Sequence, residues 1–199
     1  MAVLDVTLIR SRTSVRTAPR DAVRGAGTAT LLVGGWLASV TVAPHVQLSA
    51  SAHNVVLFGH LAALLCGFGA VLAIDWFGLL WATGRRPFTE VVRTATALHT
   101  LIWVGLAGLV ATGALLQPDP TSVQSRVKLA LVLVIGVNGL YAHLLQAELR
   151  SARLAAFAAD QAPWAAAPRS LLTRAAATAV VSQLCWWTTI VIGFAHTRR

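Results

Sequence analysis

Long apolar stretches separated by short polar breaks dominate this sequence of 199 residues. Each stretch approaches or exceeds the length of about 20 residues that a helix needs to cross a hydrocarbon core of ~30 Å. The stretches do not alternate in polarity as the strands of a membrane barrel do, and helices satisfy their own backbone groups in lipid. The pattern therefore predicts an all-α, polytopic transmembrane helical bundle of five spans, which are 26–43, 55–81, 91–116, 127–145 and 171–195.

Prolines and glycines lie in the breaks between the stretches. Pro44 follows the first stretch, Gly-Arg-Arg-Pro at 84–87 follows the second, and Gln-Pro-Asp-Pro at 117–120 follows the third. Proline ends a helix because it lacks the backbone N–H and its ring clashes with the preceding turn. The fourth break, 146–170, is longer. We expect it to be an amphipathic segment whose first part is a helix that continues out of the membrane or lies on its surface.

Composition excludes several classes of protein. Hydrophobic residues make up 56% of the chain, charged residues make up 12%, and the mean hydropathy is +0.69. Soluble domains carry about 25% charged residues, so a soluble enzyme or a disulfide scaffold of this composition could not cover its surface. The net charge of +9 would indicate a nucleic-acid partner only if the basic residues formed a face of a soluble fold. Because they flank apolar spans instead, we expect the lipid bilayer, and no nucleic acid, as the partner.

The basic residues also predict the orientation of the chain. Twelve of the 16 lysines and arginines lie in a basic flank at 1–25 or in and around the second and fourth breaks. Cytoplasmic segments carry the excess of basic residues. We therefore expect a cytoplasmic flank, a cytoplasmic loop at 146–170 and an outer C-terminus in the plasma (inner) membrane. The first span is predicted to be an uncleaved anchor because Pro44 follows it, so 26–196 form one transmembrane domain.

Ionisable side chains within the spans are costly, and they usually face another helix or a site. In the second span His60 is predicted near the outer end and Asp75 near the inner end, 15 residues or about 22 Å apart along a helix. Their directions differ by about 60°, so one helix face can carry both. His99 and His143 are predicted at about the depth of Asp75, on the third and fourth spans. We expect Asp75 and His99 to approach each other.

Other polar residues of the spans favour structural interpretations. His196, together with His45 and His53, lies in or beside the predicted outer loops. Asn138 and Gln183 are interpreted as residues that form hydrogen bonds between helices.

Glycines share faces with the inner histidines. Small residues either let helices approach closely or leave room for a flat cofactor. Those that share a face with His99 or His143 are Gly105, Gly108, Gly136 and Gly139.

One block of the chain has a family resemblance. His-Leu-Ala-Ala-Leu-Leu begins at His60, and Val-Lys-Leu-Ala-Leu-Val-Leu-Val-Ile-Gly-Val-Asn-Gly opens a later span, with Lys128 and Leu129 as its Lys-Leu pair. The block 60–149 resembles copper-resistance-D-type membrane domains and the haem-binding membrane protoporphyrinogen oxidases, in which a histidine opens an early span and a Lys-Leu pair a later one. Ala-Ile-Asp at 73–75 stands where the oxidases carry Leu-Pro-Arg, and Asn138 lies near their Tyr-His. The resemblance therefore implies a haem-capable helical bundle and not the oxidase activity.

The first functional hypothesis is a haem b protein that transfers electrons across the membrane. Haem iron takes axial imidazoles, and a helical bundle supplies them from facing helices. Histidines at two depths could hold one or two haems, with His60 and His99 as the foremost metal ligands, each paired with its own second ligand. The candidate cofactor-binding residues are His60, His99, His143 and His196.

The second hypothesis is a non-enzymatic membrane component. It would be a small ion- or proton-coupled transporter, a homo-oligomer, or an assembly subunit of a larger membrane complex. In such a protein Asp75 and His99 would relay protons, bind an ion or hold helices together. An enzyme acting on lipids or quinones is a third alternative. An absorption spectrum separates the first hypothesis from the others because a haem protein absorbs in the Soret region.

Overall fold

The chain folds into five α-helices and no strand within the residues that the computed structural model describes, which are 19–116, 121–158 and 169–196. A short 3-10 helix, Ala43–His45, follows the first α-helix. The prediction of an all-α fold is confirmed, and each of the last four predicted spans coincides with part of one helix to within a residue. The helices are α1 (Pro19–Val42), α2 (Ala50–Ala82), α3 (Phe88–Leu115), α4 (Val123–Ala158) and α5 (Arg169–His196).

Four of these helices identify the chain as a membrane protein. Among the described residues, α2, α3, α4 as far as Ser151 and α5 as far as Ala195 are long and apolar enough to cross a membrane. The first predicted span, 26–43, coincides with α1 as far as Val42, and the apolar helix found there within the described residues is the shorter segment Leu32–Val42. Four helices of spanning length are therefore identified in the described part of the chain, and the first of the five predicted spans stays a prediction.

The connection between α2 and α3 forms where the sequence predicts a break. Gly84 has a φ of 72°, in the left-handed region that glycine adopts without steric cost. The Thr83 hydroxyl donates to the carbonyls of Leu79 and Leu80 at the end of α2, in addition to the backbone N–H groups that these carbonyls already accept from. Pro87 precedes the first residue of α3, Phe88. The two helices consequently form an antiparallel hairpin with a short turn.

Glycine brings α2 and α3 of this hairpin into close contact. A Cβ atom placed on Gly105 of α3 would lie 2.5 Å from the Cα of Gly67 and 2.8 Å from the carbonyl oxygen of Ala63, both on α2. Gly108 is similar, since its Cβ would lie 2.9 Å from the Cβ of Ala63. Only glycine at these positions permits the observed distance between the helices. Gly105 and Gly108 therefore let the helices approach closely and do not leave room for a cofactor.

The helices α4 and α5 form a second hairpin, and α1 packs against α3 and α4. Leu32 of α1 fills the space left by the absent side chain of Gly136 on α4, where an added Cβ would lie 2.6 Å from a Leu32 methyl carbon. The indole N–H of Trp36 donates to the Leu129 carbonyl at 2.9 Å. Helix α1 is thus fixed to the spanning helices by one interlocked side chain and one hydrogen bond.

The two hairpins meet at an apolar cluster. Trp186 of α5 is 2% exposed and stacks on Phe68 of α2, with ring centroids 5.5 Å apart. Leu106 of α3 and Ile135 of α4 complete the contact, so all four spanning helices contribute to it. Since the cluster lies part-way along each helix, it joins the hairpins and divides the space between them.

Parts of two predicted segments lie outside the described residues. They are most of the basic flank, including Arg10, Arg12 and Arg16, and the part of the predicted loop at 159–168. The first part of that loop is helical, because α4 continues without interruption as far as Ala158. With 36 residues, α4 is about 54 Å long, which exceeds the ~30 Å of a hydrocarbon core.

Candidate functional site

A cavity of about 680 Å³ lies between the two hairpins, lined by α2, α3, α4 and α5. Its deep end is formed by Val71, Ile135 and Trp186, which belong to the apolar cluster. At its other end are Trp81 and Phe88, on either side of the turn between α2 and α3. The cavity therefore occupies one half of the bundle, and its size is within the range of about 300–1,000 Å³ that is typical of ligand sites.

A carboxylate and an amide bridge the hairpins in the wall of this cavity. The Nε2 of Gln183 on α5 donates to Oδ2 of Asp75 on α2 at 2.6 Å, and the Gln183 Oε1 accepts from the Trp187 indole at 3.0 Å. The sequence predicts a role for Gln183 between helices, but it does not identify Asp75 as the partner. Asp75 and His99 line the same cavity, as their predicted depths suggest.

The two inner histidines are brought together across α3 and α4. The rings of His99 and His143 stack with centroids 4.5 Å apart and planes inclined by 26°. Trp103 contacts His99 through a ring edge, with centroids 6.2 Å apart. Both histidines line the cavity, and within the described residues no hydrogen bond engages their ring nitrogens. The pair therefore presents imidazole nitrogens whose bonding capacity is not used by the described protein groups.

Asn138 connects α4 and α5 beside the cavity. Its Nδ2 donates to the Thr178 carbonyl at 3.0 Å, and that carbonyl belongs to a buried residue. Gly139, the next residue, also lines the cavity, and a Cβ placed on it would meet only Trp103, at 3.9 Å. Among the four glycines that share a face with His99 or His143, Gly139 is thus the one that lines the cavity and makes no tight contact with another helix.

His60 lies at the α2–α3 interface and does not line the cavity. Its Nδ1 is 2.8 Å from Oγ1 of Thr112, and the Thr112 hydroxyl donates to the Gly108 carbonyl at 2.5 Å. Because that hydroxyl hydrogen is already used, the imidazole is the donor to Thr112. His196 is the last residue of α5, and its side chain lies outside the described part of the structure.

The donor set limits which metal or cofactor could bind. Within the described ranges, no group of three or more His, Cys, Asp or Glu side chains is arranged to hold a metal ion. Two histidines that held one haem iron between them would direct ring nitrogens, and not ring faces, toward each other. The stacked rings of His99 and His143 instead present their faces to each other. This pair fits ligation of haem by one histidine, as in globins, and does not fit ligation of one iron by both.

A strip of polar residues continues from the histidine pair. These residues were not predicted from the sequence. Thr96 of α3 accepts hydrogen bonds from Gln146 Nε2 at 3.1 Å and from the Arg150 guanidinium, both on α4. Thr96 is three residues before His99, and Gln146 and Arg150 are three and seven residues after His143. That spacing places these three residues on the same helix faces as the histidines. The spacing is therefore the sequence signal from which the strip could have been predicted.

Comparison of the chain with protein-family models, with curated proteins and with solved structures finds no match.

Proposed function

We propose that the protein binds haem b in the cavity between its two hairpins and transfers electrons through it, with His99 as the axial ligand. The observation that carries the proposal is the pair His99 and His143 in the wall of a largely apolar cavity of about 680 Å³. A polar group in an apolar environment without a partner is unfavourable, and ligation of iron would satisfy an imidazole nitrogen. Haem bound there would supply one-electron oxidation and reduction.

Two features favour His99 over His143 as the ligand. The side chain of His99 is half-buried, whereas that of His143 is exposed. The ring of His99 also has aromatic neighbours on two sides, His143 and Trp103, which restrict its orientation. A ligand whose orientation is already fixed loses less conformational freedom when it binds.

The proposal includes the predicted topology, with five spans, a cytoplasmic N-terminus, an outer C-terminus and a location in the plasma membrane. The asymmetry of the basic residues supports the orientation. The packing of α1 beside the spanning helices α3 and α4 supports α1 as an additional span, which brings the number to five. In this topology the turn at 83–87 is cytoplasmic, so the cavity lies in the cytoplasmic half of the membrane.

A second candidate function is proton or ion handling by a non-enzymatic membrane component, either alone or in a larger complex. The observation that favours it is the bond between Asp75 and Gln183, which puts a carboxyl group in the wall of a cavity within the membrane. This candidate requires no cofactor, so it predicts a colourless protein.

Absorption spectra of two single-histidine variants test the haem proposal. We expect wild-type protein, produced with ample haem supply, to show a Soret band that His99→Ala loses. His60→Ala is the matched control because it removes a histidine of a spanning helix that does not line the cavity. We expect it to retain the band. Loss of the band in His60→Ala with retention in His99→Ala would contradict the proposal.

A further inference from the structure

The polar strip beyond the histidine pair ends in an exposed cation, Arg150, which lies just beyond the residues that line the cavity. Gln146 lines the cavity, and Arg150 is one turn further along the same face of α4. The Arg150 guanidinium does not extend along its own helix but donates to Thr96 on α3. We call Thr96, Gln146 and Arg150 the rim cluster.

The charge of Arg150 is not balanced by a carboxylate in the described part of the chain. Two ion pairs form among these residues, Arg86 with Glu90 at 3.5 Å and Arg174 with Glu148 at 3.1 Å. Glu148 is the acidic residue nearest to Arg150 in sequence, but it is turned toward α5 and pairs with Arg174 there. The lining of the cavity is thus largely apolar, and one turn beyond Gln146 of that lining lies an exposed guanidinium that forms no ion pair with a described carboxylate.

We infer that the rim cluster is a subsite for the acidic end of the cavity's ligand, with Arg150 binding a carboxylate. The inference rests on the proposed function and names the part of haem b that the subsite would hold, its propionate groups. A guanidinium presents five N–H donors in a planar fork that matches a carboxylate, and the bond to Thr96 uses only part of them. Thr96 is about one helical turn from His99, so one ligand can contact both.

The contacts of Arg150 favour an acidic occupant. A carboxylate would accept from the guanidinium donors that Thr96 leaves unused, whereas a cationic ligand would be repelled. An apolar ring compound that carries a carboxylate would suit both the apolar lining and Arg150. Such a ligand would bind with its ring against the apolar walls and its acid group at the rim cluster.

Porphyrins that differ only in their acid groups or in their iron test this subsite. We would reconstitute the full chain in lipid nanodiscs and titrate it with hemin, hemin dimethyl ester and metal-free protoporphyrin IX, following absorbance or fluorescence. We expect the wild-type protein to bind hemin about ten- to a hundredfold more tightly than its ester, since hydrogen bonds to charged groups are worth about 1.5–3 kcal/mol. Arg150→Gln should lose this preference while it still binds the ester.

Two further variants control for charge and for folding. Arg126→Gln removes an exposed arginine from the other end of α4 and should keep the preference for hemin. Arg150→Lys retains a charge without the planar fork and should restore part of the preference. Binding of the ester by Arg150→Gln shows that this variant is folded. An unchanged preference for hemin in Arg150→Gln would overturn the inference.

The three porphyrins also separate this inference from the proposed function. If protoporphyrin IX binds less tightly to Arg150→Gln than to wild type while His99→Ala leaves the hemin spectrum unchanged, the carboxylate subsite stands and ligation by His99 is wrong. If His99→Ala alters the hemin spectrum and Arg150→Gln does not change porphyrin binding, ligation by His99 stands and the carboxylate subsite is wrong. If no porphyrin binds to the wild-type protein, both are overturned.

Discussion

Asp75, Asn138 and His60 each bond to a residue of a neighbouring helix, and these bonds explain how their side chains are accommodated in the spans. His99 and His143 differ, because they stack on each other at the wall of the cavity and have no hydrogen bond to a described residue at their ring nitrogens. Asp75, Asn138 and His60 thus connect helices, although the bond of His60 uses only its Nδ1, and whether His60 binds a metal stays a prediction.

The bond between Asp75 and Gln183 should contribute measurably to stability. Asp75→Leu removes the acceptor of the Gln183 amide, and we expect it to lower the free energy of unfolding by about 0.5–2 kcal/mol, as for other polar pairs between membrane helices. Asp75→Asn keeps an oxygen acceptor and should lose less. Unfolding of the purified protein by sodium dodecyl sulfate, followed by circular dichroism, measures both. Equal losses in the two variants would contradict a structural role for this bond.

The depth of each polar residue could be predicted from the sequence, but its partner could not. Position along the chain gives depth, so Asp75 and His99 were expected near each other, and they line one cavity. A partner depends on how each helix is rotated about its axis. In a membrane the lipid-facing and core-facing sides of a helix are both apolar, so the hydrophobic pattern does not define the rotation as it does in soluble proteins. The pairing of Asp75 with Gln183 and of His60 with Thr112 therefore follows from packing.

At the scale of helices, close packing within one hairpin contrasts with the space between hairpins. Helices α2 and α3 touch through Gly67 and Gly105, whereas the cavity separates parts of the same helices from α4 and α5. The sequence predicts that glycines either form close helix contacts or leave space for a cofactor, but it does not indicate which glycine has which role. Three of the four glycines near the inner histidines serve close contacts, and Gly139 borders the cavity.

Substitution of Gly105 should destabilise the first hairpin. Gly105→Ala places a methyl group 2.5 Å from the Gly67 Cα, and overpacking of this kind costs about 1–3 kcal/mol. Gly69→Ala on α2 is the matched control, because a Cβ there meets nothing within 4 Å. It should be neutral, or stabilising by up to about 1 kcal/mol through helix propensity. Thermal unfolding in detergent compares the two, and a Gly105→Ala protein as stable as the control would show that the helices separate easily.

In the molecule as a whole, an apolar cluster joins the two hairpins, and a partly open cavity lies between them on one side of the cluster. The fold class and four spanning helices could be read from the apolar stretches because length and hydropathy alone define a span. The cavity could not be predicted from the sequence, because it depends on the distance between helices that are not adjacent in sequence. The charge asymmetry predicts on which side of the membrane the cavity lies.

Reporter fusions test that orientation. A reporter fused after Arg86, in the turn between α2 and α3, should be cytoplasmic, and one fused after Ala50, at the start of α2, should be outside. Both positions border a helix of spanning length, so their signals should be opposite. A cytoplasmic signal after Ala50 would reverse the topology and place the cavity in the outer half.

Binding of haem b in the cavity can be tested by the reduced-minus-oxidised absorption spectrum of the wild-type protein. The protein would be purified after expression with ample haem supply, and the haem content would be measured per chain. We expect a Soret band and about one haem per chain, since the cavity has one histidine pair and that pair suits ligation by a single ring. A colourless protein without iron would contradict it and favour proton or ion handling by Asp75 and the histidines.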